Sequence, residues 1–329
     1  MPFPAKQRDI ELDAWVIAQR PPRAVLDPTL PYAFFNEEEC GVSGAAETVA
    51  TILLTNRECP WRCVMCDLWK NTLTHSLEPG IIPSQIDVAL KQLHPARTIK
   101  LYNSGSFFDR RAIPLADHAA IANQVHGFER VIVECHPSLV GDDCLTFRDR
   151  LHGQLEVAMG LETADPETLQ KLNKGITVEQ FQQAASFLRQ NAIDLRVFIL
   201  AQPPYMHEGT SLFWAQRSLD FAFDCGATAA TLIPTRGGNG AMEALAARGD
   251  FVPPQLSTLE ASVRYGLSLG RGRVFSDLWD LPGTDECPHC FAQRIDALRA
   301  VNLHQGGLKE HVCVQHGSTP FPRSAGAAL

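Results

Sequence analysis

Six short runs of β-branched and other apolar residues recur along the chain, at 48–55, 98–102, 130–135, 155–160, 195–200 and 227–233, with helix-like segments between them. Runs that are apolar on both faces belong to strands covered on both sides, the property of a parallel sheet flanked by helices. Two helix starts are marked in the intervening segments, by Ser84 with Asp87 three residues on and by Thr177 with Gln180 three residues on. The alternation predicts an α/β fold wound into a barrel or partial barrel, with its chemistry at the C-terminal ends of the strands. A doubly wound open sheet satisfies the same periodicity. The length of 329 residues, 45% of them hydrophobic, suits one large domain or two modest ones.

Outside the alternating region the pattern weakens. Residues 1–47 carry Pro21, Pro22, Pro28 and Pro31 with little periodicity and read as an extended N-terminal arm lying across the main domain. The expected division is this extension, a barrel over 48–235, and a C-terminal module over 236–329. That module opens with the flexible break Gly237, Gly238, Asn239, Gly240 and continues with a helix over 256–269. Lysine and arginine total 29 against 37 aspartates and glutamates, a net charge of −8 that disfavours unaided adhesion to nucleic acid or an acidic membrane. No apolar run approaches the roughly 18 to 20 residues that span a bilayer. The first residues also lack the apolar core of a signal peptide. The expectation is a cytoplasmic protein, in which ten cysteines serve better as metal ligands or nucleophiles than as a disulfide framework.

Directly after the first run stand Cys59, Cys63 and Cys66, spaced C-x3-C-x2-C. Three thiolates on a short loop can hold three irons of a four-iron cluster and leave the fourth iron open to a small chelating molecule. A structural zinc site would prefer closed pairs and a nearby fourth ligand, for which His75 is the nearest histidine. Such a loop after the first strand of a six-fold β/α chain resembles the radical S-adenosylmethionine (radical SAM) superfamily. The resemblance implies a partial (βα)6 TIM-like barrel, a [4Fe-4S] cluster on the three cysteines, and S-adenosylmethionine chelated to the unique iron. It further implies a reductant such as flavodoxin or ferredoxin. Met65 stands where many members have an aromatic residue, an apolar replacement that still shields a cluster.

Later strand ends extend the resemblance. The stretch Tyr102, Asn103, Ser104, Gly105, Ser106 occupies the place of the motif that receives the cofactor's amino group, and Gly105 permits close backbone approach. Glu134 sits at the rim after the third run, as a cofactor contact or an ion-pairing residue. Gly160, Leu161, Glu162 and Thr163 look like a motif of the tRNA-modifying branch, with Glu162 and Thr163 facing the ribose or methionine end of the cofactor. Asp165 fits the N-terminus of the following helix. Phe107, Phe108 and Tyr205 are candidates to wall the reaction space. In order, IKLYNSGSFFDRRAIP, VIVECHPSLVGDD, VAMGLETADPETLQKLNKGITVEQF and VFILAQPPY look most like the radical SAM subunit of archaeosine synthase and its bacterial relatives. That likeness implies a tRNA or deazaguanine substrate, engaged through a partner subunit given the acidic charge.

The tail holds a second group: Cys287, Cys290 and Cys313, with His311 and His316 beside the last. These donors suit zinc, and equally an auxiliary iron–sulfur cluster. Between them residues 291–303 are helical in pattern, with Arg294 and Arg299 expected on a solvated face. Cys40, Cys135, Cys144 and Cys225 lack ligand spacing and read as small buried apolar residues. The competing class of function is a binding module in which both cysteine groups hold zinc and the barrel is a scaffold for RNA or protein.

Overall fold

Each of the six apolar runs forms a strand, and two strands that hydropathy does not reveal join them. The computed structural model describes residues 9–279, 281, 287, 289–309, 311–313 and 317–318. Its main sheet has eight strands in chain order: β1 (Ala33–Cys40), β2 (Ala46–Leu53), β3 (Thr98–Tyr102), β4 (Arg130–Glu134), β5 (Gln154–Glu162), β6 (Asp194–Ala201), β7 (Ala229–Pro234) and β8 (Arg273–Ser276). Strands β2 to β8 run parallel, and β1 returns antiparallel along β2. The sheet curls into a half-barrel, an α/β architecture that matches the expected TIM-like class.

The helices are α1 (Ile10–Gln19), α2 (Ile81–Leu90), α3 (His118–Gln124), α4 (Asp142–Arg148), α5 (Pro166–Lys171), α6 (Val178–Gln190), α7 (Glu208–Asp224), α8 (Ala241–Ala246), α9 (Leu256–Leu269) and α10 (Phe291–His304). A two-stranded ribbon, β9 (Val312–Cys313) with β10 (Gly317–Ser318), follows. Thr177 and Gln180 form the expected reciprocal cap on α6. Ser84 caps nothing, because α2 begins earlier, after Gly80 at φ +94°, and Ser84 lies inside it. No helix among the described residues is long and apolar enough to cross a membrane.

The N-terminal arm is not extended throughout. Asp9 accepts hydrogen bonds from the amides of Glu11 and Leu12 and so starts α1. Hydropathy does not mark β1 because its core is Asn-Glu-Glu-Glu, a polar string of the kind that faces solvent. Two of its glutamates, Glu37 and Glu39, pair across the floor of the half-barrel instead. Glu39 meets Arg196 on β6 at 2.6 Å and Lys100 on β3 at 2.6 Å. Glu156 on β5, with no exposed surface, takes Arg196 at 2.6 Å, Arg130 on β4 at 3.0 Å and Arg273 on β8 at 3.2 Å. One network thus links β1, β3, β4, β5, β6 and β8.

The two ends of an uncurled sheet would expose unpaired backbone. At β8 the edge is capped by side-chain amides. Asn302 accepts from the Ser276 amide at 2.9 Å and donates to its carbonyl at 2.8 Å, and Gln305 does the same for Val274 at 2.5 and 2.9 Å. These residues stand at the end of α10, which packs against both β8 and β1 and fills the gap between the sheet's ends.

Burial works against the charge of Glu39 and Glu156, but Arg196 together with Lys100 at Glu39 and with Arg273 and Arg130 at Glu156 outweighs it and holds both carboxyls below their usual range. Arg196→Met would leave the two buried carboxylates short of their main partner and should cost about 3–5 kcal/mol at neutral pH. Depressed carboxylates give stability that is present above the ordinary carboxylate pKa and lost as pH falls, so the gap to wild type should narrow on acidification. Denaturant unfolding across pH checks both the size and the sign.

Candidate functional site

The three-cysteine loop leaves β2 at the C-terminal rim of the parallel strands and is gripped from four directions. Glu58, beside Cys59, forms ion pairs with Arg20, Arg23 and Arg62. Arg20 also lies over the Trp69 ring, 4.5 Å from its centroid. From the other side Asn173 donates to the Arg62 carbonyl at 3.0 Å and to Asp13 of α1 at 2.8 Å, while the Val64 amide donates to the Leu172 carbonyl at 3.0 Å. Asn239 donates to the carbonyls of Val64 and Cys66 at 2.8 and 3.1 Å and accepts from the Met242 amide at 2.8 Å. The Trp61 ring stacks on His136 at 3.5 Å. The glycine-rich stretch expected as a flexible break is therefore a clamp. Gly240, at φ +86°, has no room for a Cβ, which would fall 1.8 Å from the Gln19 carbonyl oxygen.

Two neighbouring rim turns place the other motif residues by unusual backbone. Ser104 adopts φ +54° just past β3, and the Glu134 carboxylate accepts the amides of Asn103 and Ser104 at 2.9 and 3.0 Å. Burial raises the Glu134 carboxyl to about 7, and these amide hydrogen bonds restrain the rise. At the end of β5 the pairing register shifts between Gly160 and Glu162, and Glu162 takes φ +67°. The bulge turns Glu162 onto Lys174, at 2.6 Å, in a buried ion pair. Gly160 makes the space, since a Cβ there would lie 2.1 Å from Glu162 Oε1.

Cys59, Cys63, Cys66, Ser104, Gly105, Glu134, Glu162 and Lys174 all border one cavity of about 750 Å³, which runs from the rim down to the floor network. Ser106 and Thr163 do not border it. The Ser106 hydroxyl accepts from the His136 amide at 3.1 Å, and the Thr163 hydroxyl from the Asp165 amide at 3.1 Å, so both fix turns from behind. Asp165 caps α5, as expected. Phe107 and Phe108 also turn away from the cavity, into a core with His118 and Phe147. Tyr205 packs in a separate apolar cluster with Val64 and Met242. The aromatic walls are instead Tyr32, Phe35, Trp61, Tyr102, Phe198, Phe275 and Trp279. Tyr102 is legible in the sequence only as the start of the stretch after β3, and Lys174 and Phe198 are not, since a lysine in a helix-terminal turn and an aromatic within a strand carry no distinguishing pattern.

The donor chemistry of the loop fits a metal cluster. Burial pushes each of the three thiols up to about 12, and the Lys174 ammonium works in the opposite direction on all three. Burial also opposes the Lys174 charge, but Glu162 and the neighbouring thiols hold its pKa above the ordinary lysine value. A fixed cation facing three sulfurs is suited to an anionic thiolate-bound group, whose binding displaces the thiol protons. Among the described residues, the three cysteines whose sulfurs gather within 4.8 Å of one another are Cys287, Cys290 and Cys313 in the tail. Cys59, Cys63 and Cys66 do not form such a compact group. His316 lies outside the described residues. Arg294 is not on a solvated face: it is 2% exposed and binds Glu260 through two contacts of 2.9 Å. Cys40, Cys135, Cys144 and Cys225 are buried among apolar neighbours, as expected.

No family model matches the chain. Archaeosine synthase subunit beta of Methanosarcina acetivorans is 24% identical over 282 residues, 80% of this chain and 81% of that protein. Among solved structures, Elp3 of Methanocaldococcus infernus is 18% identical with a TM-score of 0.49, covering 61% of this chain and 53% of its own. A radical SAM methyltransferase from Sphaerobacter thermophilus is 14% identical with a TM-score of 0.49, covering 82% and 81%. The half-barrel with a three-thiol loop at its rim thus accompanies sequence similarity to archaeosine synthase subunit beta along about four-fifths of both chains.

Asn239→Ala removes two hydrogen bonds to the cysteine loop and one from the Met242 amide, at a cost of about 1–3 kcal/mol. The fold should persist while alkylation of Cys63 and Cys66 in metal-free protein accelerates several-fold. Peptide mass spectrometry after timed labelling measures this directly.

Proposed function

We propose that this protein is a radical SAM enzyme acting on a nucleoside substrate of the deazaguanine type, free or in tRNA. Cys59, Cys63 and Cys66 would hold three irons of a [4Fe-4S] cluster, with S-adenosylmethionine on the fourth. When bound, that pair supplies reductive cleavage of the cofactor and a 5′-deoxyadenosyl radical, given an electron from a donor such as flavodoxin or ferredoxin. The observation that carries the reading is the immobilised three-thiol loop opening into the cavity at the strands' C-terminal rim.

The chain's own groups have separable tasks in this reading. Ser104 and Gly105 offer backbone carbonyls to the cofactor's amino group, and Glu134 keeps that turn in shape through its amides. Glu162 presents a carboxylate to the cofactor's ribose or methionine end, with Lys174 preserving its charge. Ser106 and Thr163 support these contacts from behind. Tyr102 and Phe198, edge to face at 6.4 Å, give a dry wall against which a flat heterocycle can lie. Excluding water there protects a carbon radical from abstracting hydrogen elsewhere. The nucleoside class rests on the similarity to archaeosine synthase subunit beta, whose name also supports a partner subunit. With that partner supplying contacts to the polyanion, a net charge of −8 is no obstacle.

Anaerobic incubation of reconstituted protein with S-adenosylmethionine, a strong reductant and deazaguanine-modified tRNA should yield 5′-deoxyadenosine and a changed nucleoside. The triple variant with alanine at Cys59, Cys63 and Cys66 should be colourless at the rim site and yield neither product. Wild-type iron content in that variant would refute the cluster assignment.

Glu162→Gln should weaken S-adenosylmethionine binding on the order of ten-fold, the loss of one charge-assisted hydrogen bond, with iron content unchanged. Titration calorimetry on reconstituted protein reads the affinity. Gly105→Val is expected to lower iron as well, because a Cβ at 105 already approaches the Cys59 Cβ to 3.3 Å.

A further inference from the structure

We propose that Cys287, Cys290 and Cys313 bind a single zinc ion, and that this ion fastens α10 into the gap between β1 and β8. The site is separate from the rim loop and does not depend on the chemistry assigned there.

Sulfur spacing distinguishes one ion from a cluster. Tetrahedral zinc with Zn–S bonds of about 2.3 Å puts its sulfurs about 3.8 Å apart. The sulfurs of Cys287 and Cys313 are 3.8 Å apart, and all three lie within 4.8 Å of one another. Those positions leave no room for separate irons beneath each sulfur. Disulfide chemistry is a poor alternative, since pairing two of three thiols strands the third and requires a separation of about 2.05 Å. The three thiolates fill three of the four tetrahedral positions; His311, two residues before Cys313, lies outside their group and is not assigned to the fourth.

The ligands bracket one helix. Cys290 is the N-terminal cap of α10, and the Cys287 carbonyl accepts the amides of Cys290 and Phe291 at 3.2 and 3.0 Å. Cys313 lies on the ribbon that follows the helix. An ion shared among them pins the ribbon that follows α10 back against the helix's N-terminal end. That helix has work to do at the cavity: Arg299 and Asn302 border it, and Asn302 and Gln305 cap the β8 edge. α10 already buries Ile295, Leu298 and Val301 in the main core, and the free energy of metal binding adds to that anchorage at the helix's N-terminal end and the ribbon.

The test uses the full-length protein, with zinc and iron measured separately. Wild type should carry one zinc per chain in addition to iron. Cys287→Ser with Cys290→Ser should lose that zinc, keep its iron, and show at least ten-fold faster amide exchange across α10. Cobalt loaded into zinc-stripped wild type should give the intense visible bands and thiolate charge-transfer absorption of a tetrahedral site, a readout that survives even if the double variant misfolds. Zinc retained by the double variant, a fall in its iron instead, or cobalt lacking thiolate absorption would each overturn the proposal. Failure of the rim-site assignment would show only in iron and S-adenosylmethionine binding.

Discussion

The pairing of Glu39, Arg196 and Glu156 across the floor of the half-barrel is the contact on which the remaining geometry depends. A curled sheet that does not close has no continuous ladder of hydrogen bonds around its circumference. Its curvature must be held by side chains that meet across the interior. Arg196 does this from β6, reaching Glu39 on the antiparallel edge strand and Glu156 on β5, while Lys100, Arg130 and Arg273 bring in three further strands. Buried charges of this kind are costly unless fully paired, which makes the arrangement specific. The wrong curvature would leave carboxylates without partners.

With the floor charged and fixed, the opposite rim is free to carry strained backbone. Ser104 and Glu162 both adopt left-handed conformations at strand ends, and both are held by buried carboxylate contacts. The cysteine loop has little regular structure of its own. Its shape is imposed by α1, by Arg20 and Arg23 on Glu58, by Asn173 and by Asn239, which arrive from distant parts of the chain. Segments outside the alternating β/α region therefore build the site as much as the strands do.

The sheet's two ends pose a different problem, and α10 answers it. Its terminal amides substitute for the missing neighbour of β8, and its flank closes the cavity between β8 and β1. Arg294, paired with Glu260 in the interior, secures the helix to α9. The half-barrel's chamber is thus bounded by strands, by a charged floor and by one helix drawn from the C-terminal segment.

The local sequence determined the six parallel strands, the cap at Thr177, the helix at 256–269 and the three-thiol loop with its rim motifs. Each is written in short-range periodicity or spacing, which survives without knowledge of neighbours. Only tertiary structure decided the rest. The glutamates of β1 read as solvent-facing until Lys100 and Arg196 are brought opposite them, and Arg294 read the same way until Glu260 arrived. Ser106 and Thr163 share motifs with Ser104 and Glu162, yet a change in backbone direction sends the first pair behind the turn and the second into the cavity. Asn239 sits in a glycine-rich stretch whose composition signals freedom, while its amide binds a loop more than 170 residues earlier in the chain. Composition reports what a residue can do in water; partners far along the chain decide whether its charge or amide is buried, and a site is made of those partners.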